Sequence, residues 1–140
     1  MPAVVETGET GLLTPESYLG YARLQNYVGK NPAPDRFAQY SFPPTIPQNT
    51  LAYDGQWRVG SQAITAGSRA RLRLRFQASN VYIVMGGSGT VQALIDGKPT
   101  GTIHVDAQRL YTVRASTQPL IGLLELRFSP GVQAYSFTFG

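Results

Sequence analysis

The sequence predicts an all-β fold, an antiparallel β-sandwich of jelly-roll type, and three observations lead there. Strand signals recur about every ten residues from residue 50 onward, with turn residues between them. Glycine and proline together supply 25 of the 140 residues, which implies many turns and few long helices. No pattern long enough for a crossover helix separates the strands, which leaves a sandwich or jelly roll rather than a βαβ fold.

The first fifty residues read differently. They hold seven of the ten prolines, at positions 2, 15, 32, 34, 43, 44 and 47, and little alternation. A short N-terminal helix is expected at Thr14–Gly20, with Thr14 as N-cap, Pro15 at the first helical position and Glu16 in the first turn. From Asn31 to Gln48 the chain reads as a proline-rich extended segment. Phe37, Tyr40, Phe42 and Ile46 within it favour a course across a folded surface, since their apolar groups gain by burial. The expected organisation is one structural module: residues 1–50 a junction segment packed on the sandwich, residues 51–140 the sandwich.

Within the second part, Gln56–Val59 and Gln62–Thr65 read as a hairpin around Gly60-Ser61. Arg69–Phe76 is the clearest strand. Ala70, Leu72, Leu74 and Phe76 share one parity and Arg69, Arg71, Arg73 and Arg75 the other, which on a strand makes an apolar row and an arginine row with a ~6.8 Å repeat. Asn80–Met85 is apolar on both parities and suits a strand covered on both faces. Gly86-Gly-Ser-Gly89 reads as a hairpin loop leading into Thr90–Ile95. Asp96-Gly97 is a turn, with Lys98–Gly101 lengthening its loop. Thr102–Val105 and Arg109–Arg114 are short strands. Leu120–Phe128 turns Leu124, Leu126 and Phe128 inward and Glu125 and Arg127 outward. Val132–Phe139 closes the series with Tyr135, Phe137 and Phe139 on one face.

Composition narrows the chemistry. The hydrophobic fraction of 42% with 14% charge suits a globular chain. There is no cysteine, which removes thiol catalysis, disulfides and cysteine metal sites from these residues. No stretch reaches the roughly 18 apolar residues of a membrane span, so no membrane insertion is expected. No signal peptide is read at the N-terminus, where basic and apolar regions are wanting. Net charge is +4, carried by ten arginines and only two lysines, Lys30 and Lys98. The arginine row could serve phosphates or acidic sugars, or could pair across the sheet with carboxylates, Glu125 first. No aromatic residues interleave with it, which argues against nucleic acid.

Catalytic signatures are thin. Gly86–Thr90 lacks the Lys-Ser/Thr and the helix of a phosphate loop. His104 is the only histidine, with Asp106 as a same-face neighbour and no nucleophile beside them, so a small hydrolase is the least favoured reading. No carboxylate cluster suggests a metal. No catalytic residue, metal or cofactor is expected. The aromatic supply of eight Tyr, six Phe and one Trp is richer. Tyr53, Trp57, Tyr18 and Tyr21 are candidates for a sugar or protein surface, or else fasten the N-terminal segment to the sandwich. Arg71 and Arg73 join them as candidate binding residues.

An ordered set of motifs adds to this. Thr14-Pro-Glu-Ser-Tyr-Leu-Gly-Tyr-Ala-Arg23, Trp57-Arg-Val-Gly60, Val81-Tyr-Ile-Val-Met-Gly86, Val91-Gln-Ala-Leu-Ile-Asp-Gly-Lys-Pro99, Gln108-Arg-Leu-Tyr111 and Pro130-Gly-Val-Gln-Ala-Tyr-Ser-Phe-Thr-Phe-Gly140 together resemble the C-terminal module of DipZ-type thiol–disulfide interchange proteins. The resemblance implies a carbohydrate-binding-module-like sandwich, outside the cytoplasm, that travels with a thioredoxin-like domain. It implies a non-catalytic module positioning that domain or its substrate, with glycan binding as the alternative. The departure is the missing Cys-x-x-Cys, which puts any redox chemistry on another domain.

Overall fold

The computed structural model describes residues 13–140. Eleven strands are present among them: β1 (Ser17–Tyr18), β2 (Phe37–Tyr40), β3 (Leu51–Val59), β4 (Ile64–Ala66), β5 (Ala70–Ala78), β6 (Val81–Gly86), β7 (Gly89–Ile95), β8 (Lys98–Val105), β9 (Arg109–Arg114), β10 (Leu120–Phe128) and β11 (Gln133–Phe139). All strand pairings are antiparallel. One layer runs β8-β7-β10-β5-β3 and the other β3-β4-β11-β6-β9, with β2 beside β3 and β1 beside β11. The sandwich is therefore as the sequence predicts.

β3 belongs to both layers. Leu51–Asp54 pairs with β5, Gly55–Arg58 pairs with β2 on one side, and Trp57–Val59 meets β4 on the other. The switch falls at Gly55, whose φ of +84° is a left-handed conformation that suits glycine. Between the layers lie Leu72, Leu74 and Phe76 of β5, Leu124 and Leu126 of β10, Ile83 and Met85 of β6 and Phe137 of β11, all fully buried. Each comes from the inward parity of its strand.

An aromatic chain runs through this core. Tyr27 meets Tyr53 with ring centroids 5.0 Å apart, Tyr53 meets Trp57 at 5.8 Å, and Trp57 meets Phe128 edge-on at 5.0 Å. Burial pushes the Tyr53 hydroxyl well above its ordinary value of 10.0, so it stays a donor, to the Leu19 carbonyl at 2.8 Å. Replacing Tyr53 with phenylalanine is expected to lower unfolding free energy by about 1–2 kcal/mol, because the Leu19 carbonyl loses that donor inside the protein. Urea denaturation measures it.

The segment before residue 50 is not laid out as the sequence suggests at every point. The expected helix at Thr14–Gly20 is replaced by extended chain, and Ser17 and Tyr18 pair with Phe137 and Ser136 of β11. The Thr14 hydroxyl that would cap a helix instead accepts a hydrogen bond from the Gln77 amide at 2.7 Å and donates to Asn49. A one- or two-turn helix gains little by itself. Pairing with β11 satisfies the strand edge and buries Leu19 completely. The proline-rich segment crosses the surface, contains β2, and buries Tyr40 and Ile46.

Further corrections follow from tertiary pairing. Gly86–Gly89 is no hairpin: β6 pairs with β9 and β11, β7 with β8 and β10, so the loop carries the chain from one layer to the other. Lys98–Gly101 is strand, because Asp96 and Gly97, both at positive φ, close a two-residue hairpin turn by themselves. β6 is covered on one face only, with Tyr82 and Val84 half-exposed. A bulge between Ala134 and Ser136 lets both Ala134 and Phe137 face the core, despite their opposite parities.

Candidate functional site

The outward row of β5 builds a face crowded with ion pairs. With Leu72, Leu74 and Phe76 inward, Arg71, Arg73 and Arg75 must stand on the opposite face. Register places Glu125 of β10 opposite Arg73, Arg127 opposite Arg71, and Asp54 of β3 on the other side of Arg71. Glu125 becomes the hub. Arg73 Nε donates to its Oε1 at 2.8 Å, Arg127 Nε donates to its Oε2 at 2.6 Å, and an Arg71 nitrogen lies 3.8 Å from the same Oε2. Arg71 donates chiefly to Asp54 Oδ1, at 2.9 Å.

The proline-rich segment packs over part of this face. The Phe42 ring lies under the guanidiniums of Arg73 and Arg71, at 4.4 and 5.2 Å, and Arg75 Nε donates to the Ile46 carbonyl at 2.7 Å. Arg75 and Arg73 are thereby half-covered, while the other end of the row stays open. There an open basin of about 740 Å³ is lined by Gln39, Asp54, Ser68, Arg69, Arg71 and Arg127 among others.

Glu125 is 6% exposed. Burial by itself pushes its carboxyl upward, but the hydrogen bonds and charges of Arg127 and Arg73 outweigh that and hold it below 4.5. A carboxyl depressed in the folded state adds stability above its unfolded value, which is lost as pH falls through the folded value. Thermal midpoints should therefore hold level on this account from about pH 7 to 5 and fall below 4.5. The fall should shrink in Glu125→Gln, as differential scanning calorimetry across that range would read.

The residues singled out in the sequence land in three places. Arg71 and Arg73 are on the arginine face. Tyr18 and Tyr21 sit on the N-terminal segment: Arg23 covers the Tyr18 ring at 4.3 Å, and Tyr21, 40% exposed, donates to Asp35 Oδ2 at 2.9 Å. That acceptor, together with partial burial, raises the Tyr21 hydroxyl above 10.0. Tyr21 edges a second recess of about 450 Å³ with Gln25, Asn26, Tyr27 and Asn31. Tyr53 and Trp57 are a correction: they are 1% and 0% exposed, part of the core, and offer no face to a ligand. Trp57 Nε1 is spent on the Asp54 and Arg71 carbonyls at 2.9 and 3.1 Å.

Of the basin residues named above, only Arg71 was among the candidates. Arg127 was legible as an outward residue of β10 but not as a neighbour of Arg71. Arg69 looked like a fourth member of the row, yet it precedes β5 and turns at φ 55°. Gln39 gave no signal. His104 is exposed on β8, and Asp106 accepts from Arg109 and Tyr111 instead. No group of three potential metal ligands exists among the described residues.

Comparison with known proteins agrees with this architecture. A family described as "Thioredoxin like C-terminal domain" matches residues 14–140. The chain is 36% identical over 129 residues to Protein DipZ of Mycobacterium bovis and, to the same extent, to Protein DipZ of Mycobacterium tuberculosis. The match takes in 91% of this chain and 19% of each relative, so the chain spans about a fifth of their length. Among solved structures, a family two carbohydrate esterase from Clostridium thermocellum, in complex with cellohexaose, superposes with a TM-score of 0.52 at 24% identity. That overlap covers 64% of this chain and 31% of the other, and it speaks to the fold alone. The match across residues 14–140 makes the chain a member of the thioredoxin-like C-terminal domain family, of the DipZ type.

Proposed function

We propose that this chain is a non-catalytic accessory module of an extracytoplasmic thiol–disulfide protein, where it positions a thioredoxin-like domain or that domain's substrate. The observation that carries the reading is the pairing of 36% identity to DipZ with a complete lack of cysteine. Disulfide exchange proceeds by thiolate attack on sulfur. A chain with no sulfur nucleophile can serve it only by holding other groups in place. The surface best suited to this is the N-terminal segment, where Leu13 and Tyr21 are exposed beside the half-buried Tyr18 and the two phenols add hydrogen-bonding groups. Titrating the isotope-labelled module with the thioredoxin-like domain of its parent protein should perturb amides within residues 13–27. A flat titration at millimolar concentration would count against the proposal.

A second reading, glycan binding, rests on the Tyr21 recess. An exposed phenol ring beside Gln25, Asn26 and Asn31 supplies a stacking face and amide groups for hydroxyls. Since Tyr53 and Trp57 are core residues, this reading now depends on Tyr21. Unchanged calorimetric heats for cellohexaose in wild type and Tyr21→Ala would remove it.

A further inference from the structure

Five described residues other than glycine hold a positive φ. Asn26, Asp35, Asn49 and Asp96 are of the types whose short polar side chains tolerate the left-handed region. The fifth is Arg69, at φ 55° in the turn before β5. An asparagine or glycine would take that conformation at lower cost, so an arginine kept there points to a use for its side chain. The backbone holds it firmly, because the Arg69 carbonyl packs on Gly55 where any side chain would intrude.

Arg69 stands on the rim of the arginine basin. The ionised residues lining that basin are Arg69, Arg71 and Arg127 against Asp54, a surplus of two positive charges. Their donors are unequally committed. Arg71 directs Nε and one Nη to Asp54, and Arg127 directs Nε to Glu125. The outer nitrogens of Arg127 have no hydrogen-bond partner among the described residues, and Arg69 forms neither an ion pair nor a side-chain hydrogen bond there. Asp54 and Glu125 thus aim the guanidiniums without filling them. Unfilled forks of this kind grip carboxylate or phosphate in two-point contact. The basin is concave and within the size range of small-molecule sites, whereas protein interfaces centre on apolar area. Gln39 and Ser68 at its edge offer neutral partners for hydroxyl groups.

We propose that this basin binds a small polyhydroxylated anion, a uronate or a sugar phosphate, with Arg69, Arg71 and Arg127 gripping the acid group. The site is separate from the Tyr21 recess and does not depend on the docking reading above. Isothermal calorimetry on the 140-residue chain tests it, with digalacturonate and glucose 1-phosphate as probes and cellobiose as the neutral control. The expected result is saturable binding of one or both anions, weakened by added salt, and none of cellobiose. Binding of digalacturonate alone assigns a carboxylate, and of glucose 1-phosphate alone a phosphate.

Arg69→Asn should then weaken binding by about tenfold or more. It should also leave the thermal midpoint unchanged or raised, since the strained position is relieved. Arg127→Gln should weaken binding similarly. No heat from either anion, equal affinity for cellobiose, or full affinity in Arg69→Asn would each overturn the proposal. So would a thioredoxin-like domain whose binding is lost in Arg69→Asn while both anions fail to bind.

Discussion

Trp57→Ala should lower the unfolding free energy by about 3–5 kcal/mol, the range for removing a large buried aromatic side chain. Domains of this size are held together by about 5–15 kcal/mol in total, so the variant should be close to unfolding at body temperature. Trp57 is fully buried where β3 crosses between layers, against Tyr53 and Phe128. Its indole nitrogen also serves the carbonyls of Asp54, on its own strand, and Arg71, on β5. Trp57→Phe keeps much of the volume and removes the donor, and should fall between wild type and alanine. Urea titrations followed by far-ultraviolet circular dichroism rank the three. A Trp57→Ala protein as stable as wild type would mean that the indole is not the keystone its burial implies.

Gly55→Ala should be nearly as damaging, by about 3 kcal/mol or more, for a different reason. The added methyl would overlap the Arg69 carbonyl oxygen and lie 2.7 Å from its carbon and 3.1 Å from Ala70 Cα. All three are backbone atoms, so no rotamer change makes room. The φ of +84° adds its own penalty for any residue with a side chain. The contrast with Gly97, also at positive φ but with open space around it, gives an internal control. Gly97→Ala should cost only the conformational part, about 1 kcal/mol. Equal losses at both positions would show that φ alone, and not the contact with Arg69, is what matters at Gly55.

The sequence carried the sandwich because alternation in β5 and β10 is local and strict. Leu72, Leu74, Leu124 and Leu126 could be assigned to the core from parity alone, and Glu125 to the arginines. What it did not carry depends on which strands meet. Ser17 and Tyr18 become strand because β11, more than a hundred residues later, has an edge to offer. The glycine-rich loop after β6 has the composition of a hairpin, and only the partners of β6 and β7 show that it spans the layers. Trp57 and Tyr53 have side chains suited to either core or surface, and nothing adjacent in sequence says that both layers close over them. The basin was half legible. Arg71 and Arg69 were both in the row, but only the backbone angle sets Arg69 apart from it, and only register brings Arg127 beside Arg71.

The pairing of β1 with β11 has a bearing on how the molecule is made. On a ribosome or a translocation channel the chain emerges in order, so β1 appears early and must wait for the last strand. β4 and β6 wait as well, since both pair with β11. A nascent chain ending before Gln133 therefore presents several unpaired strand edges and an open apolar layer, the condition in which β proteins misassociate. Closure can begin only once β11 has emerged, and long-range β pairing is slow once it begins. Until β11 emerges, these open edges are surfaces that a holding chaperone would cover.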